Sequence, residues 1–232
     1  MERIDYFCLN PKRKNMKPEI FITADDSKTL FSPAFGEHYH SVNGAFTESQ
    51  HIFIQLGFLS VSKSEISILE IGYGTGLNAI LTFLVNHEKK AIVNYHAIEK
   101  YPIDNKTFRE LNYQSKLKLS DGQTDLFVDN WDENLSVDDN FYLFKQQVDF
   151  EDFIPQKSYD LIYFDAFSPD VQPEMWSLKN IEKILTCLST GGVFVTYSSR
   201  GDLKRNLRSC SMDVKRFPGP PGKRHVLRAT KH

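Results

Sequence analysis

The sequence predicts an α/β chain built on a mostly parallel sheet covered on both faces. Three observations predict it. Apolar runs of strand length alternate with helical patterns from Ile66 onward. A glycine-rich turn, GYGTG, stands between the first of these strands and the first helix. The last two strand patterns, MDVKRF and KRHVLRAT, are joined only by PGPPG, too short for a crossover helix. They therefore read as an antiparallel hairpin at one edge of the sheet.

The elements follow in order. Residues 10–18, NPKRKNMKP, are a polar, proline-bounded connector. EIFIT and KTLFS flank ADDS and read as a small hairpin. NGAFTESQHIFIQLGF has the apolar spacing of an amphipathic helix, with Asn43 as its cap. ISILEIG, AIVNYHAIE, FYLFKQQV, YDLIYFD and GVFVTYS are strands; LNAILTFLVNHEKK, DNKTFREL and DLKRNLRSC are helices. DFEDFIP reads as one helical turn. PEMWSLKNIEKILTCL reads as a helix with Pro173 in its first turn, ended by Gly191 and Gly192. The acidic insert 121–139 matches no motif. Residues 1–59 are expected to be an extension packed on a domain of residues 60–232.

The 232 residues suffice for one sizeable core. Net charge is only −2, but it is unevenly spread. Asp121 to Asp170 holds thirteen acidic and two basic residues; Arg200 to His232 holds two acidic and ten basic. The basic end suits nucleic acid, or is a solvated surface. Cys8, Cys187 and Cys210 lack paired spacing, which fits a reducing compartment and argues against a disulfide framework or zinc ribbon. The N-terminus lacks an apolar signal core and no apolar run approaches membrane-spanning length, so cytoplasm is the expected location. His38 and His40 have no third ligand in sight, so no metal is expected.

Gly72, Gly74 and Gly76 permit positive φ and close approach of a ligand to a helix N-terminus. Glu99 ends the next strand, where a carboxylate can accept from both hydroxyls of a ribose. Glu70 lies inside an apolar run, where a carboxylate needs a partner. The ammonium and sulfonium of S-adenosylmethionine would supply one; a group within the protein is the alternative. Asp149 and Phe150, after the third strand, could meet an adenine. Asp165 ends the fourth strand at the ligand-binding crevice of an open α/β sheet. There it can take a proton from an attacking amine or orient it; an Asx turn is the alternative. Aromatic residues Phe167, Trp176 and Tyr197 could stack on an unstacked base. Arg200, Lys204, Arg205, Arg208, Lys223 and Arg224 could meet phosphates.

Five blocks in order, HSVNGAFTESQHIFI, ILEIGYGTGLNAILT, FDAFSPDVQPEMW, TYSSRGDLKRNL and FPGPPGKRHVLRAT, resemble the MnmC-type methyltransferase domain. The resemblance implies a class I methyltransferase fold, Rossmann-like, with a seven-stranded sheet. It implies methyl transfer from S-adenosylmethionine to the aminomethyl group of 5-aminomethyl-(2-thio)uridine at the tRNA wobble position. It places Glu70, Gly72, Gly74, Gly76 and Asn78 at the methionine end of the cofactor, Glu99 at its ribose, and Asp149 at its adenine. It places Asp165 at the reacting amine, and Pro169 and the PEMW segment around the target; Tyr39 and His40 help close the pocket. Bifunctional members carry a second, flavin-dependent domain that makes the aminomethyl group. The present chain matches none of it, so no FAD is expected and another enzyme would supply the substrate. A methyltransferase acting on a small-molecule amine and a noncatalytic RNA- or nucleotide-binding module are the competing expectations.

Overall fold

The expected hairpin around ADDS is formed by β1 (Glu19–Ile22) and β2 (Lys28–Ser32), and a two-residue β3 (Glu37–His38) extends it. These elements come from a computed structural model that describes residues 17–155 and 157–232. Cys8, the N-terminal stretch and the connector as far as Met16 lie outside the described residues.

The amphipathic segment is helical but not uniform. Helix α1 (Ala45–Ser49) runs into a π-helical stretch, Gln50–Gly57, and a 3-10 turn, Phe58–Ser60. Gly57 ends the wide stretch against the sheet, where an added Cβ would lie 2.9 Å from the Tyr163 ring. The cap is not Asn43. The residue preceding the helix is Gly44, at φ 141, and it makes no side-chain cap bond. The free N–H groups of the first turn are instead satisfied from the hairpin. Ser27 Oγ accepts from Ala45 N (3.1 Å) and Asp25 Oδ2 from Thr47 N (2.9 Å). Gly44 is required because a Cβ there would meet Asp25 Oδ2 at 2.6 Å.

Burial opposes the charge on Asp25, but hydrogen bonds from Ser27, the Thr47 amide, Thr23 and the Thr47 hydroxyl hold its carboxyl well below the usual carboxylate range. Because the folded value is depressed, its stabilisation is present above about pH 3.9 and is lost as the pH falls further. Asp25→Ala is expected to cost about 1–2 kcal/mol at neutral pH. Chemical denaturation should show that difference shrinking below pH 3; an equal deficit at pH 2.5 and pH 7 would rule the cap out.

The remaining elements are β4 (Glu65–Ile71), α2 (Leu77–Lys89), β5 (Ile92–Glu99), α3 (Asn105–Glu110), α4 (Tyr113–Leu117), α5 (Asp121–Val128), β6 (Asn134–Asp138) and β7 (Phe141–Gln147). Then come β8 (Tyr159–Phe164), α6 (Leu178–Leu185), β9 (Leu188–Thr196), α7 (Gly201–Ser209), β10 (Met212–Pro218) and β11 (His225–Lys231). The main sheet has the order β10-β11-β9-β8-β4-β5-β7-β6. β9, β8, β4, β5 and β7 are parallel, and β10 and β11 form the antiparallel edge hairpin. All seven expected strands are present, but the sheet has eight. The acidic insert contributes α5 and the extra antiparallel strand β6, which covers the edge of β7. Lys145 on β7 ties this insert down. Wholly buried, it donates to the carbonyls of Leu126 and Asp129, and its amine lies 5.4 Å from the Trp131 ring. Burial pushes that amine down to about 7.

DFEDFIP makes the expected single turn, with Asp152 N and Phe153 N both donating to Asp149 O at 3.0 and 2.9 Å. Two further expectations are corrected. Pro173 is not in the first turn of α6: residues 168–176 form successive turns, and the helix starts after Ser177, whose hydroxyl accepts from Asn180 N. Gly191 and Gly192 do not end a helix. They lie inside β9, where the register against β8 shifts and Gly191 takes φ +74.

Side chains alternate across the central strands into two apolar layers. Ile68 and Tyr163 face one; Leu69, Ile162 and Phe164 face the other. The first layer is completed by Leu30, Ala45, Ile52, Phe53, Ile54 and Phe58 from the N-terminal segment, the second by Ile181, Ile184, Leu203 and Leu207 of α6 and α7. Full burial contributes roughly 1.5–3 kcal/mol for each large side chain. Ile52, Phe53, Ile54 and Phe58 are therefore enough to fix the helical segment onto the sheet.

Candidate active site

The C-terminal ends of β4, β5, β7 and β8 open onto a cavity of about 790 Å³. It lies where the chain order reverses on either side of β4, the usual ligand crevice of an open parallel sheet.

The glycine turn shapes one wall. Gly72, Gly74 and Gly76 take φ +86, +54 and +73, and the amides of Gly72 and Tyr73 both donate to Ile98 O (3.1 Å). Gly72 also meets the end of β8. An added Cβ would sit 2.6 Å from Asp165 O, while Asp165 N donates to Ile71 O at 2.9 Å. The turn is braced from the N-terminal segment as well. His40 Nδ1 pairs with Thr29 Oγ1 (2.9 Å), and its Nε2 faces Thr75 Oγ1 at 3.4 Å. Burial pushes the His40 imidazole down to about 4, so it is neutral at physiological pH.

Glu99 Oε2 accepts from Gly74 N (3.0 Å) and Oε1 from Tyr101 N (2.8 Å). Each oxygen keeps a lone pair for a ligand hydroxyl. Burial raises its pKa, opposed by hydrogen bonds from the Tyr101, Gly74 and Lys100 amides. Beyond it lie Asp149, ion-paired with Lys100, and Phe150, clamped under Lys183 Nζ at 4.8 Å. Glu174 reaches the same end of the cavity, and its Oε2 is buried without a hydrogen-bond partner among the described residues.

At the other end is Asp165. Its Oδ2 accepts from Asn78 Nδ2 at 2.8 Å, and the same amide donates to Glu70 Oε1 at 2.9 Å. Burial, reinforced by Glu48, pushes the Asp165 carboxyl up to about 7, against the Asn78 hydrogen bond and Lys223. Phe35 stacks on Phe167 with centroids 4.4 Å apart, and Tyr39 meets Phe167 edge-on at 5.1 Å.

Gly72, Gly74, Glu99, Asp149, Phe150, Asp165, Tyr39, Phe167, Tyr197 and Lys223 all line the cavity. Six other expected residues do not. Glu70 is wholly buried behind Asn78 and satisfied within the protein, by Asn78 and by Tyr95 OH at 2.8 Å. The internal-partner alternative therefore holds, and Asn78 acts as the bridge from Glu70 to Asp165. Gly76 precedes α2 behind the turn, its position blocked by the Tyr73 ring. Pro169 stands off the wall, and Arg224 is exposed on the β10–β11 turn. Trp176 offers no free face: it packs on Phe164 and Tyr197, and its Nε1 donates to Phe167 O at 2.8 Å. It braces the loop after Asp165.

Two expected phosphate contacts are otherwise engaged. Lys223 turns into the cavity and pairs with Glu48, and Arg200 pairs with Asp170 and Asp202. His38 packs between the Phe21 and Phe31 rings, and no cluster of three or more metal-ligating side chains occurs among the described residues. Glu48 and Phe35 were not singled out by the sequence, and Glu174 was expected only within the PEMW segment, around the target, whereas it stands with Asp149 at the other end. Glu48 had a signal: Ala45, Glu48, Ser49, Ile52 and Phe53 follow helical spacing, which puts a carboxylate on the buried face.

These residues suit S-adenosylmethionine. A carboxylate with spare lone pairs follows the glycine turn, an unpartnered carboxylate oxygen and an aromatic stand at the far end, and acidic groups dominate the wall. When bound, that cofactor supplies an electrophilic methyl group.

Comparison with known proteins agrees. A family profile described as S-adenosyl-L-methionine-dependent methyltransferase matches residues 88–232. The chain is 29% identical over 216 residues to the tRNA 5-methylaminomethyl-2-thiouridine biosynthesis bifunctional protein MnmC of Nitrosospira multiformis, covering 85% of this chain and 34% of that one. The MnmC of Paracidovorax citrulli is 25% identical over 222 residues, covering 87% and 34%. The chain thus spans about a third of the length of these relatives. Among solved structures, MnmC2 from Aquifex aeolicus superimposes with a TM-score of 0.71 at 25% identity, covering 93% of this chain and 71% of that one. Spermidine synthase from Thermotoga maritima shares the fold, with a TM-score of 0.58 at 14% identity over 92% of this chain and 68% of that one. The chain belongs to the family of S-adenosyl-L-methionine-dependent methyltransferases.

Proposed function

We propose that this chain transfers a methyl group from S-adenosylmethionine to the aminomethyl nitrogen of 5-aminomethyl-(2-thio)uridine at the wobble position of tRNA. The observation that carries this reading is the charge of the cavity. Seven carboxylates line it (Glu37, Glu48, Glu99, Asp149, Glu151, Asp165 and Glu174) against two lysines, Lys100 and Lys223. Such a wall attracts a cationic cofactor and an amine and repels a phosphate or carboxylate acceptor. The names of the relatives, which place them in 5-methylaminomethyl-2-thiouridine biosynthesis on tRNA, support the acceptor.

In this reading Glu99 holds the ribose, Asp149 and Phe150 the adenine end, and the turn around Gly72 and Gly74 the methionine end. Asp165, oriented by Asn78, accepts a hydrogen bond from the acceptor amine. On methyl transfer Asp165 would take the proton that the amine nitrogen releases. Phe167, Phe35 and Tyr39 enclose the reacting end and exclude water. The described part of the N-terminal extension, 17–59, walls the cavity of the catalytic domain, 60–232. The aminomethyl group is made beforehand in a different active site. Because tRNA is met in the cytoplasm, the protein works there; no helix among the described residues is long and apolar enough to cross a membrane.

The tRNA backbone is assigned to Arg205, Arg208 and Arg224, which are exposed on α7 and the β10–β11 turn. Their joint replacement by Glu should weaken tRNA binding at least about tenfold and flatten its salt dependence, leaving cofactor affinity unchanged. Filter binding at two salt concentrations measures this; unchanged binding would remove the surface. The test of the reaction is labelled methyl transfer to tRNA carrying aminomethyluridine beside tRNA lacking it. Equal labelling of both would refute the assignment.

A further inference from the structure

The acceptor end of the cavity holds two more charged side chains than the proposed chemistry uses. Glu48 on α1 is buried, and its Oε1 accepts from Ser41 N at 2.9 Å. Its Oε2 is ion-paired with Lys223, whose ammonium lies 4.8 Å from the centroid of the Tyr197 ring. Tyr197 OH donates to Ala166 O at 2.8 Å, one residue past Asp165. Glu48, Lys223, Tyr197 and Asp165 all face the same cavity.

The chain goes to some length to place that lysine. Lys223 N donates to Pro220 O at 2.9 Å, and Gly222, at φ +85, sits so close to Asn43 that a Cβ would overlap its side chain. The turn is thus shaped to send Lys223 inward, away from the exposed Arg224. Stability does not account for it, since a buried ion pair is at best comparable with well-packed apolar side chains. Function does. Without the lysine, Glu48 and Asp165 would be two carboxylates in one site, and one would hold a proton. Without Glu48, the lysine would be free to pair with Asp165 and occupy the acceptor's place.

We propose that Glu48 and Lys223 are positioning residues for methyl transfer: Glu48 holds the lysine off Asp165, and the lysine keeps the two carboxylates from sharing a proton, so that Asp165 stays available to the acceptor amine. The other groups facing Asp165 do not substitute for the pair. Glu70 is held behind Asn78, whose amide donates to both carboxylates, and the Tyr197 hydroxyl is committed to Ala166 O. Glu37 is engaged by Ser168 N and Asp170 by Arg200. The proposal rests on the reading of Asp165 as the acceptor's carboxylate, which turnover of Asp165→Asn tests separately.

The pair itself is tested without turnover, by titrating the Asp165 carboxyl in the free protein with carbon-13 NMR, its signal assigned by Asp165→Asn. The wild-type midpoint is expected near 7. Lys223→Met should raise it and Glu48→Gln lower it, each by about one pH unit, while Lys223→Arg keeps it in place. The acid limb of the kcat/KM profile should move in the same sense in each variant. A purely structural role would move both variants alike or neither, and either result overturns the proposal. If Lys223→Met does not fold, Glu48→Gln alone must still lower the midpoint, and Glu48→Gln with Lys223→Gln must return it close to 7; failure of either overturns it equally.

Discussion

Asp165→Asn is expected to lower methyl transfer at least about 100-fold and to leave S-adenosylmethionine affinity within about threefold. The isosteric amide can still accept from Asn78 Nδ2, so the wall of the cavity is kept while the proton acceptor is lost. In the wild type, kcat/KM should rise through about pH 7 as Asp165 loses its proton, because burial and Glu48 have pushed its carboxyl to about 7. Asp165→Asn should lose that rise. Stability moves the opposite way. A folded pKa raised above the unfolded value of about 3.9 stabilises the protein fully only below that value, and the contribution is lost as the pH rises through about 7. Asp165→Asn should therefore be more stable than the wild type at pH 8, by on the order of 3 kcal/mol, with the gap closing near pH 4. Single-turnover kinetics, calorimetry and thermal unfolding at the two pH values measure the three effects. Wild-type turnover in the variant would remove Asp165 from the chemistry.

Gly72→Ala should do still more damage, because it acts on cofactor and acceptor sides together. The position has φ +86, which strains any side chain, and the new Cβ would meet a backbone oxygen, Asp165 O, at 2.6 Å. Backbone cannot step aside as a side chain can. The end of β8 must move, breaking the bond from Asp165 N to Ile71 O. We expect a loss of about 3 kcal/mol or more of stability and at least a hundredfold loss of cofactor affinity. Gly74→Ala is the control. It shares the positive φ, but its Cβ would press at 3.1 Å on the Tyr39 ring, a side chain that can shift. Its cofactor affinity should fall about tenfold or less. Equal binding by wild type and Gly72→Ala in calorimetry would contradict this account of the turn.

The two positions show what a sequence makes legible. Glu99 ends a largely apolar strand and Asp165 a continuous apolar run, and the C-terminal ends of parallel strands face the crevice whatever surrounds them. The succession of those strands along the chain was readable because parallel strands, buried on both faces, are rich in apolar residues. β6 was not readable, since an antiparallel edge strand reading NLSVD inside an acidic stretch has the composition of a loop. Glu70 was recognised as a buried charge needing a partner, but the partner was misassigned. Tyr95 reaches it because Glu70 pairs with Ala97, which puts Tyr95 two residues along the same face of β5, and register is not written in either strand alone. Glu48, Lys223 and Phe35 come from segments far apart in the chain, and only the packing of the N-terminal segment and the edge hairpin against the sheet brings them to one cavity. Lys223 was noticed for its charge and expected outside; the turn aims it inward.

The two indoles of the chain stand behind different parts of this cavity. Trp131 lies 5.5 Å from the ring of Tyr73, the non-glycine residue in the first half of the glycine turn, and Trp176 holds the loop that follows Asp165. The protein therefore carries its own pair of optical reporters, one behind the glycine turn and one behind the loop after Asp165. With Phe in place of either indole, the emission of the other should report on one end of the cavity, so that the arrival order of two ligands becomes measurable by stopped flow without attaching a dye.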